Sequence, residues 1–228
     1  FALHSAEQVG DETMILARHA STIKSIHRPD GLKLAEVQNA DLVIMDDGLQ
    51  NNSVSKTISF CVIDGETGFG NGKTIPAGPL REELSAILSK IDGLILIGED
   101  KTGIKVQLET QKPVFGAKIE AKASKNTQKV VAFAGLGRPE KFKSTLETLG
   151  YEVAGWHEFP DHHPYSDHDL YLLRHEAERI GARLITTEKD AARISDPETL
   201  ELLDILPIKV VFDDELALKS FIMEHLPR

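Results

Sequence analysis

Apolar positions along the chain come in two rhythms. Short, nearly continuous apolar runs stand at "ADLVIMDD", "TISFCVID", "DGLILIG", "KPVFGAKIEA", "QKVVAFAG", "YEVAGWHEF", "ARLITT" and "PIKVVF". Runs of this length read as strands, several of them covered on both faces. Between them, apolar residues recur three and four apart. "REELSAILSKI" sets Leu84, Ile87, Leu88 and Ile91 on one helical face with Arg81 and Glu82 at its start; "HDLYLLRHEAERIG" and "DDELALKSFIMEHL" read as further amphipathic helices. "GRPEKFKSTLETLG" is a helix stopped by Gly150, and "TTEKDAARI" runs from strand to helix with Thr187 and Asp190 at capping-box spacing. Strands alternating with helices predict an α/β fold, a mostly parallel sheet with helices on both faces. The polar, aperiodic stretch "KASKNTQ" at 122–128 predicts a boundary, with one part at 1–121 and a second, smaller α/β half at 129–228.

Composition narrows the function classes. The chain has 228 residues, 41% hydrophobic and 27% charged, with a formal net charge of −10. Such a surface disfavours nucleic acid or anionic lipid as a partner held by overall charge. No apolar run approaches the ~18 residues of a membrane span, and no signal peptide is present. The stretch alone is expected to be soluble and cytoplasmic. Its one cysteine, Cys61, lies in an apolar run and reads as a small buried thiol in a reducing compartment.

"GETGFGNGKT" (65–74) ends like a phosphate-binding loop, but its spacing is wrong. Counting back from Gly72, the first glycine of that pattern falls at position 67, which is Thr67. A phosphate loop must also run into a helix, whose N–H groups hold the phosphates. Here Thr74 leads into "IPAGPL", where Pro76 and Pro79 oppose a helix. The stretch is therefore expected to be a flexible, glycine-rich loop.

Three other stretches carry candidate chemistry. Asp46 and Asp47 end the apolar run in "LVIMDDGLQ", as carboxylates that hold Mg²⁺ at a strand's carboxyl end do, or as a polar turn before Gly48. "FPDHHPYSDHD" gathers Asp161, His162, His163, Asp167, His168 and Asp169. That set suits a metal site, a histidine–carboxylate proton relay, or a solvated loop with Ser166 or Asp167 capping the next helix. In "VGDE", Asp11 and Glu12 open a helix whose dipole favours acids there.

Taken in order, "VGDE", "DDGLQ", "GFGNG" with "PAGPLRE", "AGLGRPEKF", "FPDHHPYS" and "TTEKDA" resemble the tetraacyldisaccharide 4'-kinase family along nearly the whole chain. The resemblance implies a P-loop NTPase-like enzyme. Such an enzyme uses ATP and Mg²⁺ to phosphorylate the 4'-hydroxyl of a lipid-linked disaccharide at the cytoplasmic face of the bacterial inner membrane. By motif, Asp11 corresponds to the acid that partners a catalytic histidine, and His162, ahead of its neighbour His163, to that histidine. Asp46 and Asp47 correspond to the metal-holding acids, and Arg81 to a catalytic cation. Glu12, Gln50, Glu82 and Asp161 fall in motifs lining the same site. The family's phosphate loop and a membrane-associating segment are expected upstream of "VGDE", so this stretch alone is expected to be weakly active or inactive. Two other readings stay open: a non-catalytic paralogue that binds the lipid disaccharide or a partner, and a metal-dependent hydrolase using the Asp/His cluster. Oligomeric state does not follow from the residues.

Overall fold

The computed structural model describes residues 4–108, 111–122 and 129–227. Three helices come first, α1 (Ala6–Val9), α2 (Asp11–His19) and α3 (Arg28–Val37). Then follow β1 (Phe60–Asp64), α4 (Leu84–Lys90), β2 (Gly93–Ile97), α5 (Ile104–Leu108) and β3 (Val114–Ala121). The remainder is β4 (Lys129–Ala134), α6 (Pro139–Thr148), β5 (Glu152–Glu158), α7 (Asp167–Ile180), β6 (Arg183–Thr187), α8 (Glu188–Ala191), α9 (Pro197–Leu202), β7 (Leu203–Leu206), β8 (Ile208–Phe212) and α10 (Glu215–His225).

These elements form two units, but not a leading and a trailing half. One unit gathers the described residues of Phe1–Lys24 and Ala121–Ile208; the other holds those of Ser25–Glu120 and Lys209–Arg228. The division therefore differs from 1–121 against 129–228, and residues 123–128 of the expected boundary lie outside the described residues. The reason is packing at both chain ends. α2 docks on α8 within the first unit, and β8 and α10 return to the sheet that β1 begins.

In the first unit the strand order is β5-β4-β6-β7, parallel throughout. β4 is its central strand and is dry on both faces. Val131 and Phe133 pack against Leu170, Leu173 and Ala177 of α7. Val130, Ala132 and Ala134 pack on the opposite side against Phe142 and Leu146 of α6. That is why "KVVAFA" shows no polar alternation. α6 starts at Pro139, whose fixed φ suits a first turn. α7 starts at Ser166, whose hydroxyl accepts from the Asp169 N–H, and stops at Gly181 with φ 63°.

In the second unit the order is β1-β2-β3-β8, with β1–β2 and β2–β3 parallel. Ile63, Leu94 and Leu96 pack with Ile87, Ile91, Ile104 and Leu108 on one face. On the other, the rings of Phe60, Phe115 and Phe221 meet at centroid distances of 5.3 to 6.1 Å. They close over Gly93, where a Cβ would come within 3.0 Å of the Phe60 ring.

Three local expectations change. The run at 42–45 joins no sheet among the described residues, and Leu42, Val43 and Ile44 are exposed. A strand needs a hydrogen-bonded neighbour, so Asp46 and Asp47 sit at a turn rather than at a strand end. Helix α4 begins only at Leu84, with extended Glu83 as its N-cap, which leaves Arg81 and Glu82 in the preceding segment. The glycine loop is tightly tied rather than flexible. Leu80 N–H donates to the Lys73 carbonyl (3.2 Å) and Ile75 N–H to the Leu80 carbonyl (2.9 Å), while the Asn71 amide donates to the Ala77 carbonyl (2.8 Å). A Cβ on Gly78 would lie 2.1 Å from Asn71 Oδ1. No helix follows Thr74, so the loop offers no helix N-terminus to phosphate.

Phe133 is fully buried and meets Phe159 and Tyr165 edge to face. Phe133→Ala should lower unfolding stability by about 3–5 kcal/mol, read from the shift of a denaturant midpoint at constant slope.

Candidate active site

The chain leaves β4 for β5 on one side, then crosses back to β6 on the other. In parallel sheets this reversal opens a crevice at the carboxyl ends of the strands, where ligands bind. In the first unit the crevice lies between the ends of β4 and β6, and it is laced by polar groups. The Gly135 N–H, just past β4, donates to Asp190 Oδ1 at 3.0 Å. Asp190, just past β6, is completely buried and also accepts from the Tyr165 hydroxyl (2.8 Å), from the Thr187 hydroxyl (2.7 Å) and from Arg193. A carboxylate survives in a dry site only with this degree of pairing. The Tyr165 phenol is driven far above its usual range, first by burial and then by the Asp190 charge. It therefore remains a proton donor.

Arg193 extends the network. Its guanidinium donates to the carbonyls of His163 (3.1 Å) and Gly135 (3.3 Å), and its Nε lies 3.6 Å from Asp11 Oδ2. Asp11 is the first residue of α2, where the helix dipole favours an acid, and it is buried. Oδ1 accepts from the Glu12 N–H at 2.9 Å, and Oδ2 faces His162 Nδ1 at 3.1 Å. Residues 151 apart in sequence thus meet in one pair.

His162 is held in the left-handed region, φ 58°, an unfavourable conformation for a residue with a side chain. Its N–H points at Asp161 Oδ1 (3.0 Å) and at the Gly135 carbonyl (3.3 Å). On the ring, Nε2 lies 3.4 Å from Lys189 Nζ. Asp161 Oδ2 lies 4.0 Å from the same nitrogen; an ammonium only donates, so the Lys189 contact matches the tautomer with its lone pair on Nε2 and its proton on Nδ1 toward Asp11. Lys189 Nζ is also 3.4 Å from Glu12 Oε1. A carboxylate on Nδ1 with a lone pair at Nε2 is the arrangement of a general base.

His163 faces elsewhere. Its Nε2 pairs with Asp169 Oδ2 at 3.1 Å, and its ring packs on Phe159 at 4.7 Å. Asp169 closes the capping box of α7. The Ser166 hydroxyl and N–H, with His163, hold its carboxyl down to about 2.

The second unit carries its own cluster. Asp47, at φ 47°, receives both its hydrogen bonds from Arg81 Nη1, each at 2.8 Å. The partnership raises the Arg81 guanidinium further above its usual range. Both groups are exposed, so the pair adds little stability. Asp46 is exposed beside it, and its carbonyl lies 3.5 Å from the Arg28 guanidinium. Glu82 pairs with Lys90 and leaves Oε1 buried without a hydrogen-bond partner. Gln50 is half-buried in the turn after Gly48.

Of the sequence candidates, the first unit joins Asp11, Glu12, Asp161 and His162, and the second joins Asp47 and Arg81 with Asp46 next in the chain. His163 is diverted to Asp169. Among the described residues no three His, Cys, Asp or Glu side chains gather as a metal-holding group. Sequence reasoning missed Lys189, Arg193 and Tyr165. All three lie in quoted stretches, Tyr165 in "FPDHHPYS" and Lys189 and Arg193 in "TTEKDAARI", which were read as motif and cap rather than for these side chains.

The capping box sets a pH dependence. Asp169's folded value lies below its unfolded one, so its contribution is complete above about pH 4 and lost as pH falls toward 2. The stability difference between wild type and Asp169→Asn should be on the order of 2 kcal/mol near neutrality and shrink across that window in chemical denaturation.

A family model described as tetraacyldisaccharide-1-P 4'-kinase matches residues 2–227. The chain is 44% identical over 232 residues to the tetraacyldisaccharide 4'-kinase of Methylorubrum populi, covering 100% of this chain and 71% of that protein. It is 43% identical over 226 residues to that of Rhodospirillum rubrum, covering 96% and 68%. The crystal structure of the apo form of LpxK from Aquifex aeolicus in complex with ATP superposes with a TM-score of 0.77 at 28% identity, covering 99% of this chain and 71% of that one.

Proposed function

The chain belongs to the tetraacyldisaccharide-1-phosphate 4'-kinase family, and on that premise we propose how its residues divide the work of moving the γ-phosphate of ATP to the 4'-hydroxyl of a tetraacyl disaccharide 1-phosphate in lipid A biosynthesis. The Asp11–His162 pair carries the assignment. A sugar hydroxyl is a poor nucleophile at neutral pH. As its oxygen closes on the γ-phosphorus, the proton passes to His162 Nε2, and Asp11 on Nδ1 stabilises the imidazolium that forms. Arg193 and the α2 N-terminus hold Asp11 in place.

Charge builds on the γ-phosphoryl oxygens and the ADP leaving group, so cations are needed there. Arg81 is the candidate from the second unit, held by Asp47. Asp46 and Asp47 are hard oxygen donors on one exposed turn, the donor type Mg²⁺ takes beside phosphates. They would hold that ion, which when bound neutralises phosphate charge. Within the first unit Glu12 and Asp161 are assigned to the surroundings of His162, and His163 to the support of its loop; within the second, Gln50 and Glu82 are assigned to the surroundings of the Asp47–Arg81 pair.

The acceptor is a lipid, which supports assigning the enzyme to a membrane surface, here the cytoplasmic face of the inner membrane. Among the described residues no helix is long and apolar enough to cross a membrane, so this assignment rests on the acceptor.

The test is ATP-dependent phosphorylation of the tetraacyl disaccharide 1-phosphate in detergent micelles by the full-length protein. His162→Ala and Asp11→Ala should each lower turnover by roughly 10²–10⁴-fold. His163→Ala should keep turnover within about tenfold, since its partner is a structural acid. Equal losses at His162 and His163 would sink the assignment of the base. Lipid binding without any phosphate transfer would support the binding-protein reading instead.

A further inference from the structure

Lys189 is a cation beside His162 with donor capacity in reserve. It makes two contacts at the site, to His162 Nε2 at 3.4 Å and to Glu12 Oε1 at 3.4 Å. Strong charge-assisted hydrogen bonds run at about 2.7–2.9 Å, so neither contact is a tight one. The ammonium has three donors. Arg193, by contrast, is buried and committed to Asp190, to Asp11 and to three carbonyls. Lys189 also stands at a particular atom. Nε2 is where the acceptor hydroxyl must deliver its proton, so the hydroxyl oxygen has to come within about 3 Å of it. That hydroxyl and the ammonium compete for one lone pair, and arrival of the first releases the second. The oxygen that displaces Lys189 is the oxygen to which phosphorus bonds.

We propose that Lys189 is a catalytic residue, released from His162 by the incoming hydroxyl and drawn onto the phosphoryl group in transfer; the proposal rests on the assignment of His162 as the base. In the step, the hydroxyl oxygen forms the new bond to the γ-phosphorus. The bond from that phosphorus to the β,γ-bridging oxygen breaks, and its electron pair leaves with ADP. The hydroxyl proton goes to Nε2. Lys189 exchanges no proton and supplies charge to the non-bridging oxygens, which lysine meets as a point charge. Glu12 holds the ammonium near the site between turnovers.

Steady-state kinetics of full-length Lys189→Met, Lys189→Arg and Lys189→Ala, beside His162→Ala, test this. Lys189→Met should lower kcat by about 10²-fold while the KM values for ATP and lipid move less than about threefold, the pattern of an interaction made only in the transition state. Lys189→Arg should keep at least about a tenth of wild-type kcat, since the charge is retained. Adding ethylammonium to Lys189→Ala should raise kcat at least about tenfold and leave His162→Ala unchanged, a rescue that a merely structural lysine would not show. Wild-type kcat in Lys189→Met, or no amine rescue in a folded Lys189→Ala, overturns the proposal. If His162→Ala is silent in that case, the kinase assignment stands without Lys189. If His162→Ala is itself fully active, the assignment of the base fails first and takes this proposal with it.

Discussion

The first unit is organised around a carboxylate with no access to water. Asp190 ties the end of β4 to the start of α8 through Gly135, reaches the His162 loop through Tyr165, and fixes Arg193. Removing a charge from water costs several kcal/mol unless the site replaces its hydration. Here a backbone N–H, two hydroxyls and a guanidinium do so. The consequence runs outward. Arg193, anchored by Asp190, also faces Asp11, and Asp11 orients the imidazole of His162. The exposed imidazole proposed as the base is thus positioned by a chain of charges whose root is fully buried.

The second unit meets charge in the opposite way. Its Asp47–Arg81 pair is exposed on both sides, where water and salt weaken the attraction. Such a pair is cheap to open, which suits groups proposed to meet a metal ion and phosphate. The buried network suits geometry that must not change.

Much of this was legible in the residues, for reasons that differ by element. "KVVAFA" could be read as a central strand because a strand covered on both faces has no polar alternation to hide it. The caps at Ser166 and Thr187 are local and could be read from spacing. The segment at 42–45 was misread because apolar residues announce a wish for burial and not the partner strand that grants it. The split of the chain was misread because no local pattern records that α2 docks on α8 or that α10 meets Phe60. Lys189, Arg193 and Tyr165 escaped for the same cause: their partners lie far away in sequence. His162 was separable from His163 by motif alone, and the geometry supplies the physical difference, one ring on Asp11 and the other on Asp169.

The Asp11–His162 contact spans 151 residues, and that span fixes when the site can exist. Chains emerge from synthesis N-terminus first, so Asp11 is made long before the residues that surround it. Until Arg193 has been made, Asp11 lacks both its histidine and its guanidinium, and helix α2 has no α8 to dock upon. The His162 contact waits until 151 further residues have been made. The pair therefore forms late, and a chain released before residue 162 lacks the imidazole that Asp11 faces.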